Sequence, residues 1–140
     1  MTTYSEIYRS FISKYLHRDW GTEDGINNNN ILIHESKLGI TFPTALRELY
    51  LTMGHTRQLL SVHNKVFPPE DVEVENGYVI FMEENQSVVT WGIRLDEIEE
   101  NNPIIWQRNN TENLWYSEEK TLTELLKSMF EWYSKMELLK

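Results

Sequence analysis

The chain has 140 residues, the size of one ordinary domain, and contains no cysteine, which excludes both a disulfide framework and a thiolate zinc site. A domain of this length buries roughly two-thirds of the surface its unfolded chain exposes, and five Trp, seven Tyr and five Phe supply large core pieces. A formal net charge of −9 argues against DNA, RNA or an anionic membrane as partner, because each repels a negative surface.

The N-terminus, Met1 to Glu6, lacks the basic start and apolar run of a secretory signal. Thr3 and Glu6 stand at capping-box spacing. Tyr4, Ile7, Tyr8, Phe11, Ile12 and Tyr15 then recur at the period of a helix, predicting one that ends near His17. Asp19 to Gly25 has the composition of a loop. The four asparagines Asn27 to Asn30 suit a turn and an N-cap. A short helix should follow through Ile31, Leu32, Glu35 and Leu38, with Gly39 as its left-handed cap. Pro43 is expected as the first residue of a third helix, whose buried stripe is Leu46, Leu49, Tyr50 and Met53 and which Gly54 closes.

After Gly54 the helical period is lost. His55 to Asn64 reads as an irregular connection, and Lys65-Val66-Phe67 as a short strand ended by Pro68-Pro69. Asn76-Gly77 is a turn signal before a strand over Tyr78 to Met82. Glu83 to Ser87 should turn the chain back into Val88 to Ile93. Asp96 to Asn102 is an acidic connection. Strands are expected at Ile104-Ile105-Trp106 and Leu114-Trp115-Tyr116, joined by Arg108 to Glu112. Thr121 and Glu124 repeat the capping box, and Leu122, Leu125, Leu126, Met129, Tyr133 and Met136 form the face of a long last helix. Glu137 to Lys140 is no lipidation signal, and no segment reaches the ~20 apolar residues that cross a bilayer. A cytoplasmic location is expected. Helices, then adjacent strands, then a helix predict one α+β domain over 1–140: an antiparallel curved sheet of four to six strands with N-terminal helices and a long C-terminal helix packed around it.

The charge is unevenly spread. Between Val66 and Glu119 thirteen Asp or Glu face only two basic residues, Arg94 and Arg108, so that segment carries −11 and the remainder +2. One reading is a solvated sheet surface kept soluble by carboxylates. The other is an electrostatic face for a basic partner.

Chemical motifs are sparse. His34-Glu35 has no second histidine at the i+4 spacing of a zinc metalloprotease, since residue 38 is Leu. His55 and His63 could meet across their loop, but no third ligand accompanies them, and His17 suits a helix C-terminus. There is no nucleophile elbow, and the six glycines never cluster into a phosphate loop. Pairs such as Glu83-Glu84 or Glu99-Glu100 have the composition for glycoside hydrolysis, but twenty-two acidic residues select no pair. Trp91 and Gly92 read first as core and close backbone approach, with Trp91 as an interface anchor the competing reading. Asn85-Gln86 reads as turn chemistry, with the Asn side chain capping its own backbone.

Two groups of residues resemble the SUKH superfamily, which includes a yeast regulator of cell-wall glucan synthesis. The first is Glu35, Leu38-Gly39, Phe42-Pro43, Leu49-Tyr50 and Gly54. The second is Phe81, Glu84-Asn85-Gln86 and Trp91-Gly92-Ile93, followed by Pro103-Ile104, the Trp115 strand and the last helix. The likeness runs from about Ile31 to Trp132. It departs at Phe42, where that family often has Leu, and at Asn101-Asn102-Pro103, where it often has Asp-Pro-Pro. The resemblance implies flanking helices around a curved antiparallel sheet, with Glu35, Leu38, Gly39, Pro43, Gly54, Asn85, Gln86, Trp91 and Gly92 as structural positions. It also implies a non-catalytic role without cofactor or metal. Bacterial members are typically immunity proteins that bind and neutralise a toxin, and fungal members are adaptors in cell-wall signalling.

The expectation is therefore a protein-binding module, an immunity protein for a toxin with a basic surface such as a nuclease. Its docking face should include carboxylates among Glu70, Asp71, Glu73, Glu75, Glu83, Glu84, Glu99 and Glu100. The alternatives are a regulatory adaptor and, less favoured, an enzyme or small-molecule binder in which the named His and Glu residues converge in one pocket.

Overall fold

A computed structural model of the protein describes residues 2–139, so the extreme ends considered for targeting and lipidation signals, Met1 and Lys140, lie outside the described residues. Three helices come first: α1 (Tyr4–Leu16), α2 (Asn28–Leu38) and α3 (Thr44–Met53), followed by the single turn α4 (Arg57–Leu60). Six strands follow: β1 (Asn64–Val66), β2 (Glu73–Glu75), β3 (Tyr78–Glu84), β4 (Val89–Arg94), β5 (Ile104–Asn109) and β6 (Leu114–Thr121). The chain ends in α5 (Leu122–Lys135). All strand pairs are antiparallel, in the order β1-β3-β4-β5-β6. β1 and β2 share the outer edge of β3: β1 lies opposite Met82 to Glu84, and β2 opposite Tyr78 to Ile80. The architecture is α+β with an open sheet, as the pattern of periods predicts.

The capping residues act at the expected places. The Thr3 hydroxyl accepts the Glu6 N–H at 3.1 Å, and at α5 both halves of the Thr121–Glu124 box are formed. His17 ends α1 and Gly39 ends α2, both in the left-handed region. The apolar stripes of α1, α3 and α5 meet one face of the sheet in a single buried cluster running from Tyr8 to Tyr133. The α1–α5 seam is aromatic, with Phe11 edge-on to Phe130 at 5.4 Å between ring centres. Phe130 belongs to this face, whereas Met136 is 56% exposed, because α5 stops one residue before it.

Several boundaries differ from expectation, each for a local reason. α2 begins inside the asparagine run, since the Asn27 carbonyl oxygen of the side chain accepts the Asn29 N–H at 2.7 Å and Asn27 is the cap. Leu32 points to solvent, 48% exposed. Pro43 precedes α3 instead of opening it: its ψ of 148° is extended, and one free N–H of the first turn, that of Ala45, is met by Asn101 C=O at 2.8 Å. Gly54 closes α3 with right-handed dihedrals. The irregular connection after it contains α4, which buries Leu59 and Leu60. β2 is unannounced by its sequence, since all three of its residues are exposed. The turn after β3 starts at Asn85, and it is Glu84, not Asn85, whose side chain caps it, accepting the Gln86 N–H at 2.9 Å and the Val88 N–H at 3.3 Å.

Two carboxylates are buried inside this frame, each with a partner. Glu35 accepts the Phe42 N–H at 2.7 Å and pairs with Arg47 Nε at 3.1 Å, tying α2 to α3. Asp24 pairs with Arg18 at 2.7 Å and accepts the Gly21 N–H at 2.9 Å. The Arg18 guanidinium beside it, helped by the Gly21 N–H and the Thr56 hydroxyl, holds its carboxyl below the ordinary 3.8.

Candidate functional site

The face of the sheet turned away from the core is set by register. Side chains alternate along a strand, so cross-strand partners share a face. One row runs Lys65, Glu83, Thr90, Arg108, Trp115 across β1, β3, β4, β5 and β6. The next runs Glu73, Ile80, Gly92, Trp106, Ser117, and a third Glu75, Tyr78, Arg94. Ile80 is 3% exposed yet stands apart from the core cluster, as do Tyr78, Trp106 and Trp115.

A bulge in β3 decides which half of the Glu83-Glu84 pair lies here. Ile80 pairs with Gly92 but Met82 with Trp91, so Phe81 is the extra residue, and Phe81 and Met82 are both buried. The phase shifts by one, Glu83 joins the outer face opposite Thr90, and Glu84 falls on the other side. The bulged Phe81 C=O accepts the Phe67 N–H at 2.7 Å, which docks the β1–β2 connection onto β3. From within, the Tyr50 hydroxyl of α3 donates to Phe67 C=O at 2.6 Å. Burial pushes the Tyr50 phenol far above its usual range, and the nearby Glu70 and Asp71 raise it further.

These anchors place a concavity of about 390 Å3, lined by Glu70, Asp71, Glu73, Glu75 and Glu83, with Phe67, Ile80 and Thr90 and the cations Lys65 and Arg108. Arg108 is held by Glu75 at 3.3 Å and by Asn110 at 2.9 Å. Glu70, Asp71, Glu73 and Glu83 form no ion pair among the described residues. Five carboxylates against two cations give the lining a net −3, concentrated where a short loop, one short strand and one strand end meet.

Five of the eight carboxylates singled out in the sequence thus come together, and three do not. Glu84 caps its own turn. Glu99 and Glu100 line a different cleft of about 380 Å3, with Gly39, Phe42 and Pro43 between the α2–α3 and β4–β5 connections. Trp91 is core, 8% exposed, its indole N–H donating to Glu118 at 2.7 Å. Gly92 leaves room for a side chain as well as a backbone: a Cβ there would stand 3.0 Å from Val79 C=O and 3.2 Å from the Trp115 ring.

That space is used by an aromatic group the sequence did not single out. Trp115 lies over Gly92 and stacks on Tyr78, with ring centres 3.8 Å apart and planes 8° from parallel. Tyr78 in turn meets Trp106 at 6.5 Å. The alternation Trp106, Arg108 on β5 was the available signal, but face assignment needed the register. No histidine lines the acidic concavity: His17 ends α1, His34 lies on α2, His55 follows α3 with its backbone N–H on Asp24 C=O, and His63 packs on Trp132 and Tyr133. Among the described residues no three His, Asp or Glu are placed to hold a metal ion, and no helix is long and apolar enough to cross a membrane. The chain matches no protein-family model, no curated protein and no solved structure.

Proposed function

We propose that the protein is a non-catalytic binding module of the immunity type, acting in the cytoplasm on a partner protein with a basic surface such as a nuclease toxin. The carrying observation is the gathering of Glu70, Asp71, Glu73, Glu75 and Glu83 in one concavity on the outer face of the sheet. Like charges brought together repel, which works against the folded state, so an acidic surface serving solubility alone is better dispersed. The resemblance to the SUKH superfamily supports the same reading, a scaffold for docking in which the buried Glu35–Arg47 pair is a structural staple.

A nuclease must offer a basic site to its substrate, and a carboxylate concavity complements that site. Long-range attraction then speeds encounter, and the gain shrinks as salt screens it. The test takes a nuclease toxin domain, should one be found encoded beside the gene, and follows its stopped-flow association with the chain across a salt series. The triple reversal E70K/E73K/E83K is expected to slow association about tenfold or more at low salt and to flatten the salt slope. The pair E99K/E100K, in the other cleft, should leave both unchanged. Growth rescue on co-expression with the toxin completes the case. Binding to a resident cell-wall or signalling protein with no rescue would favour the adaptor role, and turnover of a small substrate by the purified chain would end both.

A further inference from the structure

The outer face holds guanidinium groups in one repeated arrangement. Arg94 lies over the Trp106 ring at 5.4 Å and pairs with Asp96. Arg108 lies over the Trp115 ring, also at 5.4 Å, and pairs with Glu75 at 3.3 Å. Each is a planar cation on an indole face with a carboxylate at its edge, the combination a guanidinium satisfies better than an ammonium. Tyr78 links the two, stacked on Trp115 and edge-on to Trp106.

The two arrangements differ in how firmly they are held. Arg108 is 16% exposed and also bound to Asn110. The Arg94–Asp96 pair is open to water, its side chains 41% and 63% exposed, and such a pair is worth little. Arg94 also borders a shallow concavity of about 760 Å3 with Asn76, Gly77, Tyr78, Leu95, Asp96 and Trp106. A second carboxylate is at hand, since Glu97 accepts the Trp106 indole N–H at 3.4 Å.

We propose that this concavity seats an arginine side chain of the basic partner, against Trp106 and Tyr78 with Asp96 as counter-ion, and that Arg94, part of its wall, holds the Trp106 face and Asp96 in the free protein. The inference rests on the reading of the chain as a binder of a basic protein and names the side chain that anchors it. Charge complementarity selects the occupant: the adjoining concavity carries five carboxylates against two cations, and both indole faces beside it already hold guanidinium. The carboxylates draw in any cation; the rings distinguish arginine from lysine.

The probes are a nine-residue arginine peptide and a nine-residue lysine peptide of equal charge, titrated into the full chain at moderate salt. The arginine peptide is expected to bind about fivefold more tightly or better, with the Trp106 indole N–H resonance of the native protein shifting on its addition. Trp106→Ala should bring the two peptides to equal affinity, whereas E73K/E83K should weaken both and keep their ratio. Trp106→Phe, which keeps an aromatic ring in place, should retain part of the preference. Equal affinities in the native protein, a preference that survives Trp106→Ala, or an unmoved Trp106 resonance would overturn the proposal. Toxin neutralisation without an arginine preference removes this inference and leaves the binding role; an arginine preference without neutralisation keeps the seat and removes the immunity reading.

Discussion

Asp24 sits in a loop of ordinary loop composition, yet it is 5% exposed and joins α1, its own turn and α4's approach through Arg18, Gly21 and Thr56. A buried carboxylate is tolerated only when paired and hydrogen-bonded, and each bond here favours the charged form. Its folded pKa is therefore lowered from 3.8, and the sign of the linkage follows. The stability it adds is present above the unfolded value and is lost as pH falls through the lowered folded one. Asp24→Asn should be less stable than the native chain at neutral pH, and the two should converge in acid. Urea unfolding followed from neutral pH down to about pH 2 measures this; a constant gap over the whole range would show that the charge is not what matters. Gly92 has a comparable reach: it is a single missing Cβ that lets Trp115 cross β4 to Tyr78.

The elements beside the acidic concavity are short, and their stability is borrowed. β2 has three residues, all exposed, and is joined to β3 by Asn76-Gly77, both with positive φ, 50° and 85°, as a two-residue hairpin turn requires. The β1–β2 connection, which carries Glu70 and Asp71, is anchored from the core by the Tyr50 hydroxyl on Phe67 C=O. Tyr50→Phe keeps the ring in place and leaves that carbonyl without its donor, a loss of about 1 kcal/mol. The expected outcome is that cost in global stability, with faster hydrogen exchange at the Asp71 and Val72 amides, which close the turn over Pro68 and Pro69. Unchanged exchange there would mean that Phe81 alone holds the connection. The outer edge, β6, is guarded differently: Glu119 has a φ of 57° and pairing with β5 is irregular between Ile104 and Trp106, a break that discourages another strand from adding.

Across the molecule, helices and sheet enclose one apolar cluster on one side, while the other side of the sheet collects charge and aromatic rings. Concentrating carboxylates there sets stability against association. Glu73→Gln with Glu83→Gln relieves repulsion without changing shape, and should raise stability by about 0.5–1 kcal/mol at low salt while slowing encounter with a basic partner. Thermal unfolding at low and high salt checks the first half, since screening should erase the gain. A double variant that is less stable at low salt would mean these side chains make net favourable contacts instead.

The helices, their caps and the α+β order were legible because each rests on contacts within a few residues: a hydroxyl three positions from an amide, an apolar side chain every three or four. The strands were legible where they are buried and apolar, as at Tyr78 to Met82, and not where they are polar, as at Glu73 to Glu75 and beyond Trp106 and Tyr116. The acidic segment was visible from composition. Which of its carboxylates meet was decided by cross-strand register, by the bulge at Phe81 and by the anchoring of Phe67, none of which is a local property of the chain. The same long-range pairing brought Tyr78, Trp106 and Trp115 together from three strands, because a face of a sheet exists only once its strands have found their partners.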